Sequence, residues 1–197
     1  VDWAGHSNDI SSAMAEMHDL ALTMEYLEEY VKLNPDTLVI LTADHSTGGM
    51  SVAANKKYIW EPKVLNEIKQ SPQAISKILG NTDITQSVAG ELFGFELTED
   101  EVQSLQQAKY EGSEKLAVYY ALDKASQEKQ RKPSLERPIY QAINKLIDAR
   151  TNTGWTTTGH TAIDVQIFAM GPQKELFEGK LDNTDIAKRI FELLEKK

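Results

Sequence analysis

Between residues 10 and 33 apolar side chains recur at helical spacing: Ile10, Ala13, Met14, Met17, Leu20, Ala21, Met24 and Leu27. Steps of three and four place them on one side of a helix, so the pattern predicts a helix over 10–33 with one buried stripe. Asn8 or Asp9 can cap it by accepting from first-turn amides. Asn34-Pro35-Asp36 ends it, and Thr37 to Thr42 follows as an unbroken β-branched and apolar run. Such a run suits a strand covered on both faces, as in a parallel sheet. Residues 61–149 change character, with short helical patterns and little strand signal. Ser71-Pro72 reads as an N-cap with proline at the first helical position. Thr98 to Glu101 has capping-box spacing. Ile139, Ile143, Leu146 and Ile147 form an apolar stripe, preceded by a basic, proline-containing joint from Lys129 to Pro138. Asp164 to Met170 predicts a second strand, ended by Gly171-Pro172. Thr184 to Leu194 predicts a terminal helix with Asn183 as cap, running into a charged tail from Glu192 to Lys197.

Helix, short turn and buried strand in succession are the rhythm of an α/β domain. The expected organisation is therefore an α/β core from residues 1–55 and 150–197, interrupted by a mainly helical subdomain over 56–149. A length of 197 residues accommodates one domain with such an insertion. Apolar residues at 41% and charged residues at 26% give an ordinary globular balance, which excludes collagen-like and wholly disordered chains. No stretch approaches the 18 apolar residues of a membrane span. The formal charge of -9 argues against nucleic-acid binding and against an anionic membrane surface. The absence of cysteine excludes disulfides and thiolate metal sites.

Without cysteine, imidazole and carboxylate are the natural ligands for zinc. The chain has four histidines: His6, His18, His45 and His160. Asp2 and His6 are four residues apart, which on a helical turn places them on one face, able to chelate one ion or to lie solvated there. Asp44-His45 follows the apolar strand directly, and ligands of open α/β sheets gather at the carboxyl ends of strands. The next residues, Ser46-Thr47-Gly48-Gly49, permit close backbone approach; an ordinary polar strand exit reads the same way. His160 ends a Thr-rich segment before the second strand and is a third candidate ligand or a plain hydrogen-bonding residue. His18 falls in the long helix beside Met17 and Asp19 and reads as a surface or packing residue. Trp3 and Trp155 flank candidate ligands; either could wall a cleft, with core packing the default for tryptophan.

Three blocks stand in a telling order: Val1-Asp2-Trp3-Ala4-Gly5-His6, then Thr42-Ala43-Asp44-His45-Ser46-Thr47-Gly48-Gly49, then Gly154-Trp155-Thr156-Thr157-Thr158-Gly159-His160-Thr161. Together they resemble the alkaline phosphatases, and Asp182-Asn183-Thr184-Asp185-Ile186-Ala187 is similar to that family's closing helix. The resemblance is closest to the bacterial branch. It implies an α/β/α sandwich with a mostly parallel central sheet and a mainly helical insertion. It also implies two zinc ions and a magnesium ion, with Asp2, His6 and His160 matching ligands of the first zinc and Asp44 and His45 matching ligands of the second. His18 matches none.

The implied activity is hydrolysis of phosphate monoesters to inorganic phosphate through a phosphoserine intermediate. The family's nucleophilic serine sits in an Asp-Ser-Ala-type motif that is not found here, and its magnesium-binding glutamate belongs to a Glu-Gly-Ser-like run just before the position of Asp2. The resemblance therefore implies a C-terminal portion of such an enzyme, inactive by itself, with those residues expected upstream of Val1. It further implies a periplasmic or secreted protein and allows a homodimer. Sulfatases, phosphodiesterases and phosphoglycerate mutases share the metal-ligand logic, and a non-catalytic metal-binding domain is the alternative outside enzymes.

Overall fold

A computed structural model gives the structure of residues 1–195; the last two residues of the charged tail, Lys196 and Lys197, lie outside the described residues. In chain order the elements are α1 (Asp2–His6), α2 (Ile10–Leu33), β1 (Val39–Thr42), β2 (Ser46–Thr47), β3 (Met50–Ser51), α3 (Pro72–Asn81), α4 (Gln86–Phe93), α5 (Glu99–Ala121), α6 (Lys124–Glu128), α7 (Glu136–Thr151), β4 (Gly154–Trp155), β5 (His160–Thr161), β6 (Ile167–Met170) and α8 (Asn183–Glu195). Short 3-10 turns lie at Pro62–Asn66 and Lys174–Phe177. The α/β class with a helical central stretch holds. The chain divides into two compact units: residues 1–15 with 47–160, and residues 16–46 with those from Thr161 onward.

The first unit carries the apolar core. Ile75 and Leu79 of α3, Phe93 of α4, Leu105 of α5 and Ile139, Ile143 and Ile147 of α7 are almost fully enclosed, together with Ile10 at the start of α2. Each such side chain contributes about 1.5–3 kcal/mol through water exclusion. The helix boundaries follow local chemistry. Ser71 Oγ accepts from Ala74 N with Pro72 opening the helix, and Thr98 and Glu101 exchange the two reciprocal bonds of a capping box. Glu101 has a second task, since Arg150 of α7 donates to both its oxygens at 2.7 and 2.6 Å. This forked pair ties α5 to α7 and, led by the Arg150 hydrogen bond, holds the Glu101 carboxyl below its ordinary range. Arg150 also lies over the Phe95 ring, 4.4 Å from its centroid.

In the second unit β1 and β6 pair with Val39 opposite Met170 and Thr42 opposite Ile167. Their direction is antiparallel and both strands are half-buried, in contrast to the strand covered on both faces that the apolar run predicts. The reason is that each strand has one partner among the described residues, so one edge and part of each face stay uncovered. The second strand also begins later than expected, at Ile167. Gly171 closes β6 at φ +102; a Cβ there would lie 2.1 Å from Thr37 O, so the turn back toward β1 requires glycine.

Two further expectations are corrected. The stripe along α2 is not buried: beyond Ile10, Met14 and Met17 are 42% and 48% exposed. Spacing decides which residues share a face, and not whether another element covers it. The cap of α8 is Asp182 and not Asn183, because Asp182 Oδ1 accepts from both the amide and the hydroxyl of Thr184.

Candidate metal centre

The segment 1–9 is a single helical turn followed by the start of α2. As the spacing predicts, Asp2 and His6 share a face of α1, with His6 Nε2 3.7 Å from Asp2 Oδ1. His160 joins them from the far end of the unit: one ligand atom from each of Asp2, His6 and His160 lies within 4.8 Å of the others. The His6 and His160 rings are 5.1 Å apart at 49°. Tetrahedral zinc with bonds of roughly 2.0–2.2 Å separates its ligand atoms by about 3.4 Å, so this donor set fits one ion with small side-chain adjustments.

Orientation of the ligands is set by their neighbours. His6 Nδ1 lies 2.6 Å from Thr158 O. A carbonyl oxygen only accepts, so Nδ1 carries the hydrogen and the neutral ring presents its lone pair at Nε2, the atom that faces Asp2. Thr47 Oγ1 donates to Asp2 Oδ1 at 2.6 Å, fixing the carboxylate. These two contacts join α1 to the segments around the other motif blocks, and glycine makes the junction possible. Gly48 adopts φ +84, and a Cβ on it would lie 2.7 Å from the Trp155 ring and 2.9 Å from Gly5 O. Gly48 N donates to Gly159 O, while the amides of Thr156 and Thr157 donate to Gly48 O. The Gly48 turn thus seats the strand of threonines that leads to His160.

A second layer comes from α7. Asp9, 1% exposed, caps α2 by accepting from Ser12 N at 2.9 Å and Ser12 Oγ at 2.8 Å. Tyr140 Oη donates to Asp9 Oδ2 at 2.8 Å, the oxygen that also accepts from Ser12 Oγ, and Asn144 Nδ2 donates to Ser7 O at 2.9 Å. One turn further, Asp148 Oδ1 accepts from Trp155 Nε1 at 3.1 Å. Burial pushes the Tyr140 hydroxyl up to about 12, with Asp9 adding to the effect. Burial likewise pushes the Asp148 carboxyl up to about 7, aided by the negative charge of Asp9. The sequence marks Asp9 only as a cap and Thr47 and Thr158 only as members of motif blocks, and it does not single out Tyr140 or Asn144. A signal was present for part of this set: Tyr140, Asn144 and Asp148 recur at steps of four beside the apolar stripe of α7.

Asp44 and His45 lie in the second unit, after β1 as expected. His45 N donates to Asp44 Oδ1 at 3.1 Å, and His45 Nε2 is 3.5 Å from Asp44 Oδ2. Asp44 is almost wholly exposed. His18 is exposed on α2. Trp3 departs from the core default: it is 85% exposed and, with His6 and Thr158, lines a cavity of about 870 Å³ within the first unit. Trp155 is partly buried against the apolar core.

Comparison with known proteins places these residues in context. The family model for alkaline phosphatase matches residues 1–196. Alkaline phosphatase 3 of Bacillus subtilis is 35% identical over 99% of this chain and 38% of its own length. Alkaline phosphatase 4 of the same organism is 32% identical over 98% of the chain and 37% of its length. The crystal structure of a cold-active alkaline phosphatase from a psychrophilic Shewanella species superposes with a TM-score of 0.81 at 40% identity, over 98% of this chain and 43% of that one. The chain thus spans less than two-fifths of the length of these curated relatives.

Proposed function

Since the chain belongs to the alkaline phosphatase family, we propose that it forms the zinc-binding part of a metal-dependent phosphate monoester hydrolase. The observation that carries this reading is the convergence of Asp2, His6 and His160 donor atoms within 4.8 Å, with His6 locked in the tautomer that offers Nε2. Asp2, His6 and His160 would hold one zinc ion, and Asp44 and His45 would supply two ligands of a second. Bound ions of this kind act as Lewis acids toward phosphoryl and water oxygens.

The chain's own residues do the positioning. Thr47 holds the Asp2 carboxylate and Thr158 holds the His6 ring, so both ligands are oriented before any ion arrives. On this reading a nucleophilic serine and a magnesium-binding glutamate would be supplied by chain outside these residues. These 197 residues alone are accordingly expected to hydrolyse nothing. As in the bacterial enzymes of this family, we take the working protein to be exported and to act as a homodimer. Among the described residues no helix is long and apolar enough to cross a membrane.

The test is calorimetric titration with zinc, comparing the parent with His160→Ala. Loss of one of three ligands should weaken binding by more than the roughly 10–100-fold seen when only an outer partner is removed. Equal affinities would sink the assignment.

A further inference from the structure

The cavity beside the metal triad has a charge arrangement that hydrolysis of a simple ester does not call for. Besides His6 and Trp3, its lining includes Lys77 of α3, Arg131 from the joint before α7, and Arg137 and Lys145 of α7. All lie in the first compact unit. Four cations therefore face one space in a chain of net charge -9. The acids in the same lining are Glu136 and Asp148. Glu136 stays ionised, its carboxyl held below the ordinary range first by the Ser134 hydroxyl at 2.8 Å and further by the nearby charge of Lys77, so it offsets one of the four positive charges. Burial pushes the Asp148 carboxyl up to about 7, so at pH 7 it carries only part of a negative charge. Among the described residues none of the four cations forms an ion pair. Four cations against one firmly ionised carboxylate leave an excess of positive charge, and the potential it creates draws anions into the space they line.

The volume, about 870 Å³, lies within the range of small-molecule sites and far exceeds what one phosphate group fills. An ester whose phosphoryl group sits at the triad must place its alcohol portion nearby, and His6 belongs to both the triad and the cavity. We propose that the cavity receives this alcohol portion and selects esters that carry a second anionic group, such as sugar bisphosphates, over alkyl or aryl phosphates whose alcohol portion is uncharged. The choice of which end reacts rests on the phosphatase reading above; the binding of a polyanion by the cavity does not.

Two independent double variants test it in the full-length gene product: Arg131→Ala with Arg137→Ala, and Lys77→Ala with Lys145→Ala. All four side chains are exposed, so a thermal melt close to that of the parent is expected. The first readout is the ratio of kcat/KM for fructose 1,6-bisphosphate to that for p-nitrophenyl phosphate. Each double variant should lower this ratio roughly tenfold, with the aryl ester changed less than about twofold. The second readout is calorimetric binding of inorganic pyrophosphate with a chelator present, which keeps metal out of the triad. Binding should weaken roughly tenfold in each variant and fall with added salt in the parent. Unchanged selectivity with unchanged pyrophosphate binding overturns the proposal. So does a change in molecular mass by light scattering without a change in selectivity, which would make the cations a subunit contact. If the parent hydrolyses neither ester, the phosphatase reading fails and pyrophosphate binding alone decides.

Discussion

Replacing Asp9 with alanine tests whether α7 props up the ligand-bearing turn. The carboxylate is 1% exposed and accepts three hydrogen bonds, from Ser12 N, Ser12 Oγ and Tyr140 Oη, at 2.9, 2.8 and 2.8 Å. Loss of the helix cap costs about 1 kcal/mol. Leaving the half-buried Tyr140 hydroxyl without its acceptor costs about 1–2 kcal/mol more. Against this, Asp148 is relieved of a nearby negative charge, which returns a fraction of a kcal/mol. The net loss is about 2–3 kcal/mol, read as a lower urea midpoint at pH 7 with an unchanged slope. Tyr140→Phe keeps the cap and should lose about 1 kcal/mol, leaving a clear gap between the variants. Zinc affinity supplies the functional readout: Asp9→Ala should reduce it about 10–100-fold, as loss of outer support does at other metal sites. A stability loss below about 0.5 kcal/mol for Asp9→Ala, or equal losses for both variants, would refute the account of Asp9 as the link between α2 and α7.

Asp148 holds its proton more tightly in the folded chain than in the unfolded one, so stability should fall as pH rises from about 4 to 7. Asp148→Asn keeps an acceptor for Trp155 and should flatten that slope, gaining about 1–2 kcal/mol at pH 8 once partial exposure is allowed for, and nothing near pH 4 in thermal melts. Gly48→Ala forces a side chain into left-handed backbone and against the Trp155 ring; a loss of about 3 kcal/mol or more is expected, with a shift in tryptophan fluorescence. Thr47→Val removes the donor to Asp2 at nearly constant volume, so zinc affinity should drop about tenfold by titration while the melting temperature moves little.

Local signals in the sequence translate directly into structure. Ser71, Thr98 and the 139–147 stripe act through residues three or four positions away, and each appears where the spacing puts it. The pairing of Asp2 with His6 is legible for the same reason, being contained in one helical turn. His160 is a different case. Nothing in the spacing links it to His6 and Asp2, 154 and 158 positions earlier, and only the family resemblance brings it to the triad. The direction of strand pairing and the exposure of Met14 and Met17 were not legible either, because both depend on what lies across from the element.

Helix α7 is where the local and the distant meet. In α7, Ile139, Ile143 and Ile147 face the core, and the neighbouring positions Tyr140, Asn144 and Asp148 reach Asp9, Ser7 and Trp155. One helix therefore grips the chain on the C-terminal side of His6 and again five residues before His160. Its apolar side fixes where α7 lies; its polar side carries that fixed position to two motif blocks far apart in sequence. On this account the precision of the triad depends on a stretch that contributes no ligand to it. A helix at this place with the same apolar stripe but without the 140–144–148 set would preserve the fold and loosen the site.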